Sequence, residues 1–480
     1  MSVGAGGVMS DSRPRVAVVG GGLAGLSAAL ALAERGCAVE LFESKRNLGG
    51  RAGSFVDKAT GEAIDHCQHV AMGCCTNYLD FCRRVGAFES LRRVRTLHFI
   101  GPDGERSDFS PSRWLPAPLH LAAAMRRLRF LSLRERISIG RALAKLARQR
   151  AAPAAKSVGE WLRREGQPPR QIERFWSVVL VSALGEEIER ASLAAARKVF
   201  VDGFMAAREA YEVYVPTIPL AALYDEFVAR RLGEIGVAIH RETAVERIVG
   251  TSMGVDSLAL RDGSRRTFDH YVLAVPWSIA PKLLDDRLRA AMPHLVRLSE
   301  MPAAPISAVH LWFDRAISPL DHAVLIGKLS QWVFAHGVSR ENGERPGGWH
   351  YQVVISASRS LAARRNEDIV ATVRGELEAA FPAARGAALL RARVVTDRDA
   401  VFTPTADWEA MRPTQTTPVP NLFLAGDWTA TGWPATMEGA VRSGRLAAEA
   451  VLCKAGRDVT HDPIVAPDLP RGWLARWLIK

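Results

Sequence analysis

The chain has 480 residues, 48% of them apolar and 24% charged, with a formal net charge of +12 from 63 basic and 51 acidic side chains. That length exceeds what a single core serves, so two interleaved or consecutive domains are expected, and the ordinary composition excludes a chain too polar to bury a core. The positive balance points to an anionic partner, either nucleic acid or a membrane surface, and the location of the charge decides between them.

Met1 to Arg13 are rich in Gly and Ser and read as a disordered leader without the basic start and apolar run of a signal peptide. Arg15 to Val19 is a β-branched run of the kind that forms a buried parallel strand. It leads into Gly20-Gly21-Gly22-Leu23-Ala24-Gly25, which fits GxGxxG, then into a helix pattern from Leu26 to Arg35 closed by Gly36. Val16 to Ala33 carries no charge and approaches the length of a membrane span, but its glycines suit a strand, a tight turn and a buried helix better. A second strand, Ala38 to Phe42, ends at Glu43.

Each part of this motif has a physical task. Gly20 permits the tight turn, Gly22 lets the backbone approach a pyrophosphate, and Gly25 lets helix pack closely on strand. The phosphates then meet the free N–H groups and positive dipole end of the helix. Glu43, 18 residues beyond Gly25, is placed to accept hydrogen bonds from adenosine ribose hydroxyls, which disfavours NADP and leaves FAD and NAD. The following Gly49-Gly50-Arg51 adds two flexible backbone positions and a guanidinium for the phosphates.

Six cysteines (Cys37, Cys67, Cys74, Cys75, Cys82, Cys453) form no CxxC pair and have no histidine cluster at zinc spacing, so no metal site is expected. Free thiols suit a reducing, cytosolic setting. Arg113 to Lys156 holds eleven basic residues and the single acid Glu135, a net +10 that nearly accounts for the whole-chain charge. Large apolar residues from Trp114 to Ile139 interleave with these charges at helical spacing, the pattern of an interfacial helix on anionic lipid. A solvated basic helix packed on the core is the alternative, and nucleic acid lacks a readout element here. Ile306 to Phe313 and His350 to Ile355 alternate as sheet strands do. Near the end of the chain, Asn421 to Ala425 reads as a strand entering Gly426-Asp427-Trp428. The run Pro434 to Gly444, containing Met437-Glu438-Gly439-Ala440, opens a helix of small residues through Ala450. No second GxGxxG occurs, so no separate nicotinamide pocket is expected. Trp473 to Lys480 offers a second lipid contact.

Glu43 to Arg51, Gly426-Asp427 and Met437-Glu438-Gly439-Ala440 together resemble the flavin amine oxidase and phytoene desaturase superfamily. Within it, Pro420 to Gly444 is most similar to the hydroxysqualene dehydroxylases, and Asp65-His66-Cys67-Gln68-His69-Val70 resembles a motif of that group. The resemblance covers most of Arg15 to Leu452. It implies an α/β chain: an FAD-binding Rossmann-like domain of the glutathione reductase type with an interleaved α+β substrate domain. The expected boundaries place FAD-binding segments at 14–85, 206–285 and 396–455, substrate segments at 86–205 (the basic helices) and 286–395 (the sheet), and a tail at 456–480.

Carried over by position, the cofactor residues are Gly20, Gly22, Gly25, Glu43, Gly50, Arg51, Val245, Gly426, Asp427 and Met437. Asp427 is expected at the ribityl or pyrophosphate region, Met437 at the flavin pyrimidine edge and the Val245 backbone at adenine; an ordinary core valine is the other reading of Val245. No cysteine lies where some relatives attach flavin, so noncovalent FAD is expected. The sequence departs from the group at His66 and Cys67, where Asn and Gly are usual, and carries Thr436 where amine oxidases place a tyrosine. The resemblance also implies a sheet flooring an apolar cavity, and reductive dehydroxylation of hydroxysqualene to squalene in hopanoid biosynthesis, downstream of a hydroxysqualene synthase. Asp65 and His69 are the candidate catalytic groups. The alternatives are a carotenoid or squalene desaturase, a flavin amine oxidase, and a non-catalytic flavin-binding prenyl carrier. A cytoplasmic protein held peripherally on the membrane is expected, and the electron donor is not named by any motif.

Overall fold

The computed structural model describes residues 13–58, 61–149, 157–336 and 348–480. The Gly- and Ser-rich leader up to residue 12, and the end of the basic segment at 150–156, lie outside the described residues.

Five short strands form a parallel sheet in the order Ala238–His240, Ala38–Phe42, Arg15–Val19, His270–Leu273, Leu422–Leu424. Val16, Val18, Leu41, Val272, Leu273 and Leu424 are all buried, as strands covered on both faces require. The two ends of the chain meet here, because Leu273 pairs with Val19 on one side and with Leu424 on the other. The apolar run after Val16 is therefore strand, turn and helix, and no helix among the described residues is long and apolar enough to cross a membrane.

The helix after the first glycine turn spans Leu23–Glu34, starting three residues earlier than its apolar pattern alone implied. It stops where Gly36, at φ +74°, donates its N–H to the Ala33 carbonyl at 2.9 Å. Beside it runs the helix Met437–Lys454, and their approach is close. A Cβ on Gly444 would stand 2.2 Å from the Ala24 carbonyl oxygen, and Ser27 Oγ donates to the Val441 carbonyl at 2.9 Å.

A seven-stranded sheet forms the other half, in the order Leu389–Phe402, Ala303–Phe313, Trp349–Ile355, Trp332–His336, His322–Leu325, Leu97–Ile100, Arg106–Phe109. Both strands expected in this region are present and pair antiparallel, with His310 opposite Gln352. One face, carrying Val309, Leu311, Val333 and Val353, is sealed by Ile369, Val373 and Leu377 of the helix Asn366–Ala380. The architecture is thus α/β with an interleaved α+β region. The basic segment is two helices, His120–Arg127 and Leu133–Arg148, and much of its apolar content (Leu128, Phe130, Leu131, Ile139, Leu146) is core.

Candidate functional site

The site grows from the C-terminal ends of the parallel strands. Gly20 turns the chain at φ +112°, with its N–H donating to the Phe42 carbonyl at 2.8 Å. A Cβ on Gly25 would lie 1.9 Å from the Gly20 carbonyl oxygen, so only glycine allows the helix this close to the turn. Gly22 begins the helix with no side-chain cap, and its first turn holds no acid. Those N–H groups therefore suit an anion. The Gly-Gly-Arg loop folds against this turn: the Gly49 N–H donates to the Gly21 carbonyl at 2.9 Å, and Gly50 adopts φ +63° with its Cβ position 3.1 Å from Gly22 Cα.

Glu43 is buried at the rim, accepting from the Gly21 N–H at 2.7 Å and the Lys45 N–H at 2.8 Å. Ser44 Oγ also donates to Oε1 at 3.1 Å, so Oε2, with one donor, keeps the capacity for a ribose hydroxyl. Val245 packs with Val19 and Phe42 in one core cluster, two residues beyond Thr243, whose N–H donates to the Glu43 carbonyl at 2.9 Å.

The second turn stands one strand away. Gly426 adopts φ +153°, and its N–H donates to Ser443 Oγ at 2.8 Å. Arg51 and Asp427, expected separately at the cofactor, are bound to each other: Arg51 Nη2 reaches Asp427 Oδ1 at 2.5 Å and Nη1 donates to the Ala400 carbonyl at 2.8 Å. The Arg51 guanidinium also lies 5.5 Å from the Trp277 ring. Met437 opens the late helix, whose cap is Thr436, with Oγ1 accepting from the Gly439 N–H at 3.2 Å.

Two further residues matter that sequence reasoning did not assign. The buried Arg412 donates to the carbonyls of Asp427 and Trp433, each at 2.8 Å, and holds the second turn in shape. Glu438 is fully buried and turns toward the helix Thr76–Arg84, accepting the backbone N–H groups of Asn77 and Tyr78 at 3.2 and 2.8 Å. Burial pushes its carboxyl above the ordinary range, against those hydrogen bonds. Neither of these roles has a local signal, because the carbonyls that Arg412 holds lie 15 and 21 positions away and the amides that Glu438 accepts from lie about 360 away.

The loop after the Gly-Gly-Arg turn carries the two candidate catalytic groups. Asp65 Oδ1 accepts from Ser54 Oγ at 2.6 Å and from the Leu220 N–H at 2.9 Å, which ties a short hairpin to the start of the helical turn Leu220–Ala222. Burial raises its carboxyl. His69 Nδ1 lies 2.9 Å from the Cys67 carbonyl, and burial, with Arg51 adding to it, lowers its imidazole so that it stays neutral near pH 7. Burial pushes the Cys67 thiol up to about 12, so it is no nucleophile at neutral pH. All six cysteines are free.

The seven-stranded sheet departs from the expected apolar floor. The face opposite the helix Asn366–Ala380 bears a polar row: His310 Nδ1 is 3.1 Å from His350 Nε2, Gln352 Nε2 is 3.4 Å from His310 Nε2, and His336 Nε2 is 3.0 Å from Gln352 Oε1. Trp312 stacks on His350 at 4.4 Å, and the Arg391 guanidinium covers Trp312 at 3.7 Å. Arg391 and Arg393 both pair with the buried carboxylate of Asp57, at 2.5 and 2.7 Å. The strands sit where their alternation put them, but the alternating polar positions face inward. No group of histidine, cysteine and carboxylate residues suited to a metal occurs among the described residues.

Known proteins resemble this chain in sequence and in fold. The family model for "flavin containing amine oxidoreductase" matches residues 23–452. The 15-cis-phytoene desaturase of Synechococcus elongatus is 28% identical, over 92% of this chain and 96% of its own length. The zeta-carotene desaturase of Synechocystis is 26% identical, over 92% of this chain and 98% of its own. Among solved structures, cyclohexylamine oxidase from Brevibacterium oxydans superposes with a TM-score of 0.67 at 19% identity, covering 93% of this chain and all of that one.

Proposed function

The chain belongs to the flavin containing amine oxidoreductase family, with FAD as its cofactor, and from that premise we propose that it transfers hydride to or from a long polyisoprenoid hydrocarbon. Bound FAD supplies a hydride acceptor or donor. The residues fit it: the uncapped helix start after Gly22 for the pyrophosphate, Glu43 for the ribose, and the Arg51–Asp427 pair beside the second turn. We take the attachment to be noncovalent.

Desaturation is the reading that the curated relatives favour, since both named above are carotenoid desaturases matched along nearly their whole length. It removes a hydride from one carbon and a proton from its neighbour. The observation that carries it is that near-full-length match; His69, which burial keeps neutral near pH 7, is the candidate proton acceptor. Asp65 Oδ1 is engaged by two donors and braces the loop. Amine oxidation has less support, because Thr436 caps a helix where an aromatic cage would need a ring.

Dehydroxylation of hydroxysqualene is the second reading, favoured by the run Pro420 to Gly444. It runs the hydride the other way, and the leaving hydroxyl needs a proton; a neutral His69 does not suit that role, whereas burial raises the Asp65 carboxyl toward it. The flavin-loaded protein, offered phytoene with an electron acceptor, hydroxysqualene with reduced flavin, and a simple amine in parallel, distinguishes these by product mass. Loss of two hydrogens from phytoene supports desaturation. Loss of oxygen from hydroxysqualene transfers the assignment to the second reading, and turnover of the amine alone overturns both.

A further inference from the structure

The surface shared by Arg113–Arg148 and the helix Trp473–Leu478 is built from distant parts of the chain. The helix is seated by Ala475 and Ile479, buried in one cluster with Ala117, Ala147 and Met205. The Gly472 N–H donates to the Ala206 carbonyl at 2.9 Å, a Cβ on Gly472 would be 3.4 Å from Ala117 Cβ, and the Lys480 N–H donates to the Ala147 carbonyl at 3.0 Å. With Ala475 and Ile479 turned inward, Trp473 and Trp477, four apart on one helix face, are left 67% and 81% exposed. Trp114, three residues before Ala117, is 92% exposed, and Leu115, Leu119, Leu133 and Ile137 are exposed as well.

Most of the charge on this surface is uncompensated, Lys145 being the one cation of the described segment in an ion pair, with Glu165 at 2.5 Å. Arg126, Arg127, Arg129, Arg134, Arg141 and Arg148 are exposed, and among the described residues none forms an ion pair. The one acid of the segment, Glu135, caps its own helix through Ser132 and lies 3.4 Å from Arg170.

We propose that this surface docks on an anionic phospholipid bilayer. Guanidinium forks match lipid phosphates, while tryptophan rings favour the boundary between headgroups and acyl chains. A nucleic acid would satisfy the arginines but leave the leucines and tryptophans in water. A second copy in a two-fold pair would set like charges against each other. The docking does not depend on which substrate the flavin site takes.

The test is flotation of the flavin-loaded protein with vesicles of phosphatidylcholine alone and with added phosphatidylglycerol. Wild type floats with the anionic vesicles and detaches at high salt. Replacing Arg126, Arg134 and Arg141 together by Gln lowers partitioning on the order of a hundredfold. Trp473→Ser with Trp477→Ser lowers it by about tenfold or more, with flavin content unchanged. Brominated lipid quenches the tryptophan fluorescence of wild type, which reads the docking without any variant. Absence of flotation, equal binding to neutral vesicles, or unquenched fluorescence overturns the proposal. So does tighter binding to duplex DNA than to anionic vesicles, or a lipid-free dimer that the tryptophan replacements dissolve.

Discussion

The nucleotide half and the substrate half constrain their residues in opposite ways. In the first, the decisive contacts are backbone against backbone. A Cβ would come within 2.5 Å of a carbonyl oxygen at Gly20, Gly25, Gly439 and Gly444, so the residue type is dictated at the position itself. In the second, such an approach occurs at Gly348, where a Cβ would stand 2.6 Å from the Phe313 carbonyl oxygen, but Gly140 and Gly375 sit in helices with nothing within 4 Å of a Cβ, and the distinctive features are side-chain clusters assembled across strands. Backbone proximity leaves a short motif in the sequence; a cross-strand cluster leaves none.

The sharpest way to break that contrast is Gly25→Ala. The added methyl collides with the Gly20 carbonyl oxygen and crowds Ala274 Cβ at 3.3 Å, so the helix must lift from the turn. About 3 kcal/mol of stability is expected to be lost, as overpacked sites lose. The ratio of flavin absorbance to protein is expected to fall below about a tenth of the wild-type value, since the helix N-terminus then misses the pyrophosphate. Stoichiometric flavin in this variant would show that the close approach is dispensable.

The same contrast explains what the sequence disclosed. Gly20, Gly22, Gly25 and Glu43 were legible because strand, turn, helix and acid follow one another within 29 residues. Gly426 and Asp427 were legible as a second turn, but the Arg51–Asp427 bond joins positions 376 apart and has no local trace. Glu438 was visible as part of a motif while its task, capping a helix some 360 residues earlier, was hidden. The sheet strands were read correctly from alternation, yet period two says only that His310 and Trp312 share a face, not that this face carries His350 and Gln352 as well.

That polar row supplies a test of intermediate size. Burial, then His336, Arg393 and Arg391, lowers His310 to about 3, with the Asp57 carboxylate opposing. Its ordinary value is about 6.5, so between about pH 6.5 and pH 3 the unfolded chain binds a proton that the folded chain refuses. The stability associated with neutral His310 is therefore complete above about pH 6.5 and erodes as the pH falls. Between pH 7 and pH 5 this amounts to about 2 kcal/mol. His310→Gln removes that portion, so its stability declines less steeply over the interval in parallel denaturant titrations. An equal slope would mean that His310 is protonated in the folded protein.

The smallest effect comes from the freest glycine. Gly140 lies in the interior of the helix Leu133–Arg148, exposed and with open space around its Cβ position. There a glycine only adds freedom to the unfolded chain, so Gly140→Ala gains up to about 1 kcal/mol. In a protein of this size that is a Tm rise of about 1–2 °C, with flavin content unchanged. The same chemical change thus has opposite signs at Gly25 and Gly140. The sign follows from whether a carbonyl oxygen or open solvent occupies the Cβ direction. A fall in Tm for Gly140→Ala would mean that this helix face is covered, and would set aside the open surface on which the lipid contact depends.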